Sequence, residues 1–502
     1  MTNPILKLRL CSVLIFSAVL LFLVLAVGSS LTNRPQIDEG MFASPAINLA
    51  NEGFLGTTVL ETEHSPLTRI EQRTYWVMPL FLLNVAAAFK TLGMSLFTMR
   101  LVSVFWGIIL LAAWYFIVLK LSDNRNIAAL GLLLIAGNYT ILDTASLGRM
   151  DIMSAALGFS ALAIYLYWRE KDLFRAVLFS QCLVVLAGLT HPNALLAFFG
   201  LLFLTSYLDF RRLSFKHIAL ALVPYLIGGT AFGIWIFQDL EAFRAQFIDN
   251  AIMGGRMSGT SSPLSGFVRE FTEKYPHAYG LGANSSGHSG PIYLKSLIII
   301  SYIAGVLGVV FTKSLRSNRN YIILLVLTAI YFVVMAIIDG QKQTPYLVHI
   351  IPFYCALLAI WLESLWQKRF VPRPLLIASV AGLLFLQTGG MALRIKQNTY
   401  GNYYLPLTKF LKENTAENEL IMGGADIGFD LGFPINHVAD GRFAFYTGKR
   451  PKYIIYDSSV EISWLDSKTL YPQLYEHLPR LLQEYEVVYE NAAYKIYQRK
   501  QI

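Results

Sequence analysis

Charged residues are scarce in this chain, and long apolar runs take their place. Only 15% of its 502 residues are Asp, Glu, Lys or Arg, whereas 55% are hydrophobic. Since about a quarter of the residues in a soluble domain are charged, this shortage predicts an integral membrane protein. The formal net charge of +9 needs no nucleic acid to explain it, because cytoplasmic loops of membrane proteins carry excess Lys and Arg.

Cysteine is also rare, and the three cysteines, Cys11, Cys182 and Cys355, all lie in apolar runs. We therefore expect neither a disulfide nor a metal cluster. His and Cys do not occur at the spacing of metal ligands, and the sequence has no H-E-x-x-H segment. The segment GGADIG at 423–428 lacks the dinucleotide-binding fingerprint, so we interpret it as a turn.

Apolar runs of about 20 residues predict membrane-spanning helices. The first run follows Lys7 and Arg9 and is too long for a signal-peptide core, so we expect an uncleaved span. We predict a polytopic helical protein of about 11 spans, at 8–30, 100–120, 126–142, 151–168, 174–190, 193–208, 217–237, 292–312, 320–338, 345–366 and 374–393.

The apolar stretch 75–92 is the ambiguous segment, and the distribution of basic residues decides its placement. If 75–92 lies flat in the membrane interface, every short basic connection falls on the same side as Lys7 and Arg9. If it crosses, the later basic clusters face outward. We therefore predict an interfacial helix, a cytoplasmic N-terminus, and two long outer loops at about 31–99 and 238–291, the second a possible lid.

From about Lys396 the sequence no longer resembles a membrane-spanning protein. The helical segments YLPLTKFLKENTA and QLYEHLPRLLQEY alternate with the strand-like segments PKYIIYD and YEVVYENAAYKIYQR. This alternation is typical of a small α/β domain. We predict two domains, a transmembrane module at 1–393 and an extracytoplasmic α/β domain at 394–502.

Carboxylates at the predicted outer membrane boundary are the main candidates for chemistry. Asp38 and Glu39 begin the first outer loop, where they either complement a helix dipole or perform acid–base catalysis. Asp151 follows Arg149 at the start of a span; this pair either closes a helix end or supplies a second carboxylate that meets Asp38 in a shared pocket. His191 lies at the next outer boundary, as a structural hydrogen-bonder or a substrate-binding residue. The carboxylates permit a divalent cation without requiring one.

Positive side chains are unusual in outward loops and give a modest signal for an anion site. For each of them a solvated or snorkelling side chain is the alternative interpretation. A tyrosine hydroxyl lies at the same predicted depth. The candidate anion-binding residues are Arg69, Arg73, Arg100, Arg149, Lys342 and Tyr346.

The order of these features resembles the GT-C membrane glycosyltransferases, specifically the branch of protein O-mannosyltransferases and lipid A aminoarabinose transferases. The acidic pair is followed by TYWVMPLFLLNVAAAFKTLGMSLFTMRLVS and then by LGRMD, and QKQTPYLVHIIPFYCALLA is similar to a late motif of the family. Pro79–Leu80 and Arg100 fill the places of the family's Pro-Pro-Leu stretch and second-span Arg. Val77 departs from the Lys that precedes that stretch in aminoarabinose transferases.

The resemblance implies an enzyme that transfers a hexosyl or pentosyl group from a polyprenyl-phosphate donor to a hydroxyl of a lipid, glycan or protein, with inversion. It would work on the outer face of a bacterial inner membrane. Asp38 would be the base and Asp151 would orient the acceptor or a metal, while Arg100, Lys342 and Arg149 would hold the donor phosphate.

Two other classes remain open to the sequence. A lipid or sugar carrier without chemistry would more naturally have charges in mid-span and related halves, and we find no internal repeat. A structural or assembly protein would account for the C-terminal domain but not for the clustering of polar residues at the outer face.

Overall fold

A computed structural model describes residues 4–281, 293–457, 460–461, 464–465, 468 and 471–500. The chain forms two compact units, each built from three chain segments. The first, here called the helical unit, contains Met1–Gly28, Ser103–Gln238 and Ala251–Leu393. The second, here called the mixed unit, contains Ser29–Val102, Asp239–Asn250 and Arg394–Ile502. The division into domains 1–393 and 394–502 stays a prediction.

The described residues contain eight helices long and apolar enough to cross a membrane, or nine if the bent pair Arg125–Ala136 and Tyr139–Ala145 is one span. The protein is therefore an integral membrane protein. The eight helices are Cys11–Thr32, Leu96–Ser122, Asp151–Trp168, Ala194–Arg212, Phe215–Ile236, Tyr293–Phe311, Arg319–Ile338 and Arg373–Asn414.

The number of 11 spans is not confirmed, because two predicted spans differ from these eight helices. Leu173–Gly188 is an apolar helix of 16 residues, and at 1.5 Å per residue it is about 24 Å long against a hydrocarbon core of about 30 Å. The span predicted at 345–366 is instead a 3₁₀ turn, Thr344–His349, followed by the helix Ile351–Lys368.

Aromatic side chains fill the interior of the helical unit. The ring centroids of Trp114 and Phe353 are 4.6 Å apart, those of Tyr331 and Phe353 are 4.6 Å apart, and Phe159 packs edge-on to Trp114 at 4.9 Å. Gly200 permits this packing, because a Cβ there would lie 2.8 Å from the Tyr331 ring.

Much of the predicted second outer loop is helical rather than irregular. Short helices and π-helical turns follow one another through the described part of the loop, and residues 282–291 lie outside the described residues. The helices are Leu240–Phe243, Asn250–Met253, Ser258–Ser261, Pro263–Arg269 and Tyr275–Ala278, and the π-helical turns are Arg244–Asp249 and Glu270–Lys274.

The mixed unit contains a five-stranded sheet of β1 (Ile421–Met422), β2 (His437–Val438), β3 (Tyr453–Asp457), β4 (Tyr485–Glu490) and β5 (Tyr494–Arg499). The strand order is β2-β1-β3-β5-β4, with β1 parallel to β2 and β3, and β5 antiparallel to β3 and β4. The helices Leu405–Asn414 and Pro472–Leu482 complete the predicted α/β pattern. Next to β2, Ala439 forms a parallel bridge with Leu60, so the first loop continues the edge of the sheet.

Two helices of the first loop pack on each other in the mixed unit, Ile37–Glu52 and Pro79–Leu92. Pro79 occupies the first position of its helix, which suits its fixed φ and missing N–H. With 14 residues this helix is about 21 Å long, too short to cross a hydrocarbon core of about 30 Å. Its placement flat in the interface stays a prediction.

Candidate active site

Asp151 is a buried carboxylate of the helical unit. It begins a membrane-spanning helix, its side chain is buried, and its Oδ2 accepts a hydrogen bond of 2.9 Å from Arg149 Nε. Among the described residues its Oδ1 has no hydrogen-bond partner. A buried polar atom without a partner costs stability, so this oxygen is a candidate acceptor for a water or a ligand.

His191 and Tyr346 belong to the same cluster. His191 lies between the helices Leu173–Gly188 and Ala194–Asp209, and its ring meets the Tyr346 ring edge-on at 5.0 Å. Burial lowers the pKa of His191 to about 4, the charge of Arg149 lowers it further, and the charge of Asp151 opposes this shift. His191 is therefore neutral at neutral pH, and its Nδ1 accepts a hydrogen bond of 3.0 Å from the backbone N–H of Asn193.

Lys342, a predicted anion-binding residue, has a different partner. Its Nζ lies 2.8 Å from Glu270 Oε1 and donates to the backbone oxygen of Ala336 at 2.9 Å, within a buried group in which Lys274 also pairs with Asp339 at 2.8 Å. Glu270 therefore neutralises the charge of Lys342 inside the protein.

Arg256, which the sequence analysis missed, differs from Lys342 in that no carboxylate in the described part of the chain neutralises it. Its guanidinium is exposed and, among the described residues, forms no hydrogen bond or ion pair. Its positive charge nevertheless acts on His191 and Tyr346. Its backbone oxygen accepts a bond of 3.2 Å from the N–H of Gly340, which holds this part of the loop in place. The signal in the sequence was a cation among small residues, GGRMSG.

In the mixed unit, Glu39 and Arg100 form a fully buried pair. Arg100 Nε and Nη2 each donate to one Glu39 oxygen at 2.7 Å. The remaining N–H groups of Arg100 bind the backbone oxygens of Ser30, Asn33 and Arg34 at 2.7–3.1 Å. Since these bonds use all five N–H groups of the guanidinium, Arg100 offers no further donor to a phosphate. Its role in phosphate binding stays a prediction that this geometry does not favour.

Asp38 is the neighbour of Glu39 and has a different environment. It lies in the first turn of the helix Ile37–Glu52 and is only half-buried. Glu39 also accepts a bond of 2.9 Å from the backbone N–H of Gln36, which starts the helix. One carboxylate of the acidic pair is thus structural, and the other remains accessible.

The remaining predicted cations of the mixed unit lie at its surface. Arg69 donates to Asp239 at 3.1 Å and to Glu241 at 2.8 Å, and Arg73 is half-buried. Arg69 thus joins the first predicted loop to the start of the second.

The structure brings Arg149, Asp151, His191 and Tyr346 together in the helical unit, and Glu39 and Arg100 together in the mixed unit. Asp38 and Asp151 belong to different units, so their shared pocket stays a prediction. Within the described ranges, no group of three or more His, Cys, Asp or Glu side chains could hold a metal ion. The divalent cation also stays a prediction.

Asp426 in the GGADIG turn is a second residue that the sequence analysis missed. Burial and the nearby charge of Asp457 raise its pKa to about 7, against the opposing charge of Arg34. A Cβ on Gly40 would lie 2.2 Å from the backbone of Ala425, so the helix Ile37–Glu52 packs directly on this turn.

The fold of this chain is shared by two groups of solved structures that have the GT-C fold. ArnT of Cupriavidus metallidurans, a lipid A aminoarabinose transferase solved with undecaprenyl phosphate, matches over 97% of both chains with a TM-score of 0.63 and 14% identity. Archaeal oligosaccharyltransferase AglB of Archaeoglobus fulgidus, with an inhibitory peptide and dolichol-phosphate, matches over 99% of this chain and 75% of its own, with a TM-score of 0.54 and 14% identity.

No protein-family model and no curated protein sequence matches the chain. The resemblance to the GT-C fold inferred from the sequence is confirmed by these structures. At 14% identity the likeness is one of fold.

Proposed function

We propose that the chain is a membrane glycosyltransferase that moves a hexosyl or pentosyl group from a polyprenyl-phosphate donor to an acceptor hydroxyl. The observation that carries this proposal is the fold likeness to ArnT, which covers 97% of both chains. That ArnT structure contains undecaprenyl phosphate. The buried, unpartnered oxygen of Asp151 supports a polar ligand at the ends of the spans.

Asp38 is the base in this proposal. Its carboxylate takes the proton of the acceptor hydroxyl while that oxygen attacks the anomeric carbon of the sugar. The bond between the anomeric carbon and the phosphate oxygen breaks, and the lipid phosphate leaves with the electron pair. A direct displacement of this kind inverts the anomeric centre. Glu39, which was grouped with Asp38 as catalytic, has a structural role here because Arg100 engages both of its oxygens.

The donor phosphate is assigned to Arg149, Arg256 and Tyr346, which combine two cations with a hydroxyl donor. Positive charge and hydrogen-bond donors placed at the leaving oxygens stabilise the transition state. Asp151 accepts a hydrogen bond from the acceptor or ligates a divalent ion, and His191 contributes a neutral ring to the sugar site. Lys342 is a positioning residue, since Glu270 holds its charge.

The proposed setting is a bacterial inner membrane with the N-terminus in the cytoplasm and the reaction on the outer face. The acceptor is a lipid, a glycan or a protein. A divalent cation is tested by chelation with EDTA followed by addition of Mg²⁺ or Mn²⁺; restored turnover would establish a metal-dependent enzyme.

The test uses protein purified in lipid nanodiscs, radiolabelled polyprenyl-phosphate sugars, and membrane extract as the acceptor. We expect turnover of one donor, and a fall of about 10²–10⁴ in rate for Asp38→Asn. Lys409→Asn, an exposed surface change, is the control for folding and yield. If no donor in the panel is consumed or bound, the transferase proposal fails.

The second candidate is a lipid or sugar carrier without chemistry, supported only by the many spans. The same nanodisc experiment separates the two classes. A carrier would bind or translocate a polyprenyl phosphate without breaking the bond between sugar and phosphate. Intact donor recovered after prolonged incubation with acceptor would favour the carrier.

A further inference from the structure

Four helices of the helical unit end around a cavity of about 480 Å³. The helices Leu96–Ser122, Asp151–Trp168 and Ala194–Asp209 end there, and Arg319–Ile338 begins there. The cavity therefore lies at the opposite end of the Asp151–Trp168 helix from Asp151. This helix of 18 residues is about 27 Å long, so the cavity is separate from the polar cluster of the candidate active site.

The lining of this cavity is amphipathic. Phe116, Leu119, Leu208 and Ile323 supply apolar walls on helices that cross the membrane, whereas charged residues lie where those helices end. This arrangement matches a molecule with hydrocarbon on one side and a polar head on the other, placed at a membrane boundary.

The charges on the lining are balanced. Lys120, Arg169, Glu170 and Asp123 all lie on the lining, which gives two cations and two carboxylates, and Arg169 is also bound to Asp209 behind the wall. A purely anionic headgroup would be attracted by the cations and repelled by the carboxylates. A zwitterionic headgroup, with one phosphate and one ammonium, finds a partner of opposite charge for each of its groups.

One ion pair at the rim is loose enough to open for such a ligand. Lys120 Nζ lies 3.0 Å from Glu170 Oε2, and these side chains are 33% and 56% exposed. Exposed pairs of this kind contribute little, about 0–1 kcal/mol. A zwitterion that inserts between the two side chains would form two new ion pairs in place of the Lys120–Glu170 pair, while Arg169 Nη1 stays 3.3 Å from Glu170 Oε1.

The cavity wall next to this pair is held firmly. Asp209 is buried and accepts bonds from Arg169 Nε at 2.6 Å, Arg169 Nη2 at 3.0 Å, Tyr165 OH at 2.7 Å and Arg212 Nη1 at 2.8 Å. Since one carboxylate ties the ends of two helices together, this wall of the cavity is ordered without a ligand.

We propose that this cavity binds a membrane phospholipid with an ethanolamine headgroup, its phosphate on Lys120 and its ammonium on Glu170 and Asp123. The glycerol and the first acyl carbons lie along Phe116 and Leu119. A primary ammonium is favoured over a quaternary one because it donates hydrogen bonds to the carboxylates. This inference is independent of sugar transfer, because its readout is bound lipid.

The test is native mass spectrometry of the full-length protein, released from nanodiscs that contain equal amounts of ethanolamine, choline and glycerol phospholipids. We expect one ethanolamine phospholipid to remain bound per chain. The double variant Lys120→Gln/Glu170→Gln, which leaves the net charge unchanged, should lower its occupancy at least about tenfold. The control is Lys409→Gln/Glu413→Gln, an exposed Lys–Glu pair in the mixed unit, and it should retain the lipid.

Three results would overturn the inference. The first is equal retention of choline or glycerol phospholipids, which would remove the role of the ammonium. The second is unchanged occupancy in the double variant, with the thermal stability of both variants matched. The third is displacement of the lipid by an equal concentration of soluble glycerophosphoethanolamine, which has the headgroup but no acyl chains.

Discussion

Two arginine–carboxylate pairs, one in each unit, have the same chemistry but differ in how many of their polar atoms have a partner. In the mixed unit, Glu39 and Arg100 are fully buried, and protein atoms satisfy every N–H of the guanidinium. In the helical unit, Arg149 binds one oxygen of Asp151 and leaves the other without a partner among the described residues. A saturated pair holds a structure together, whereas an unsaturated one has capacity for a ligand.

Breaking the saturated pair has the largest expected effect. Arg100→Met leaves the Glu39 charge buried without its partner, and we expect the free energy of unfolding to fall by about 3–5 kcal/mol. Thermal stability measured by tryptophan fluorescence in nanodiscs checks this. The double variant Glu39→Leu/Arg100→Met removes both charges and should recover much of the loss; equal loss in both variants would contradict the assignment.

Breaking the unsaturated pair should cost activity rather than stability. Asp151→Asn keeps an oxygen for Arg149 but removes the negative charge, so we expect sugar transfer to fall by about 10²–10³. The unfolding temperature should change much less than in Arg100→Met. Steady-state rates and thermal scans on the same preparation test both halves of this statement. A large loss of stability with normal activity per folded molecule would show that the Arg149–Asp151 pair is structural.

A third carboxylate, Asp426, differs from both pairs because it ionises at a higher pH than an ordinary Asp. Its pKa of about 7 lies above the ordinary Asp value of 3.8, so the folded state binds a proton that the unfolded state lacks between these values. Its contribution to stability is therefore complete at low pH and is lost as the pH rises from about 4 to 7, by roughly 2–4 kcal/mol.

Thermal scans of wild type and Asp426→Asn at several pH values measure this contribution. The variant should match wild type near pH 4 and become more stable than wild type near pH 7.5, because the amide cannot ionise. A difference between the two proteins that is constant with pH would show that Asp426 does not titrate in this range.

Arg256 has the smallest expected effect, since it binds the donor only as one of several groups. Arg256→Gln should raise the KM for the donor about tenfold and leave kcat within about twofold. The matched control is Arg316→Gln. Arg316 is an exposed arginine that lies just before the start of the helix Arg319–Ile338, whereas Asp339 follows the end of that helix. An equal rise of KM in both variants would remove Arg256 from the donor site.

The class of protein and most helix positions were predictable, because the length of an apolar run is a local property of the chain. The C-terminal strands at 453–457 and 485–499 were also predictable from alternating side chains. The number of spans was not predictable, because Leu173–Gly188 has only 16 residues and a 3₁₀ turn, Thr344–His349, stands where the span predicted at 345–366 would begin.

The grouping of some candidate residues was predictable, and their roles stay predictions. Asp151, Arg149, His191 and Tyr346 were identified by their position at membrane boundaries, and they do lie together. Arg256 was missed because its loop looked mobile, and Asp426 was missed because its turn looked like a simple connection. In both cases the relevant neighbours are far away in the sequence.

By itself, the sequence determined that this is a polytopic membrane protein with polar residues at its helix boundaries. The length of an apolar run and the positions of charged residues are local properties that can be read directly from the sequence. Only the tertiary structure decided which charges are already paired. Glu39 meets Arg100 across 61 residues, and Lys342 meets Glu270 across 72. The local sequence places Glu39 at the third position of its helix, where it caps Gln36, but its burial and its ion pair depend on which distant side chain the fold brings within about 3 Å.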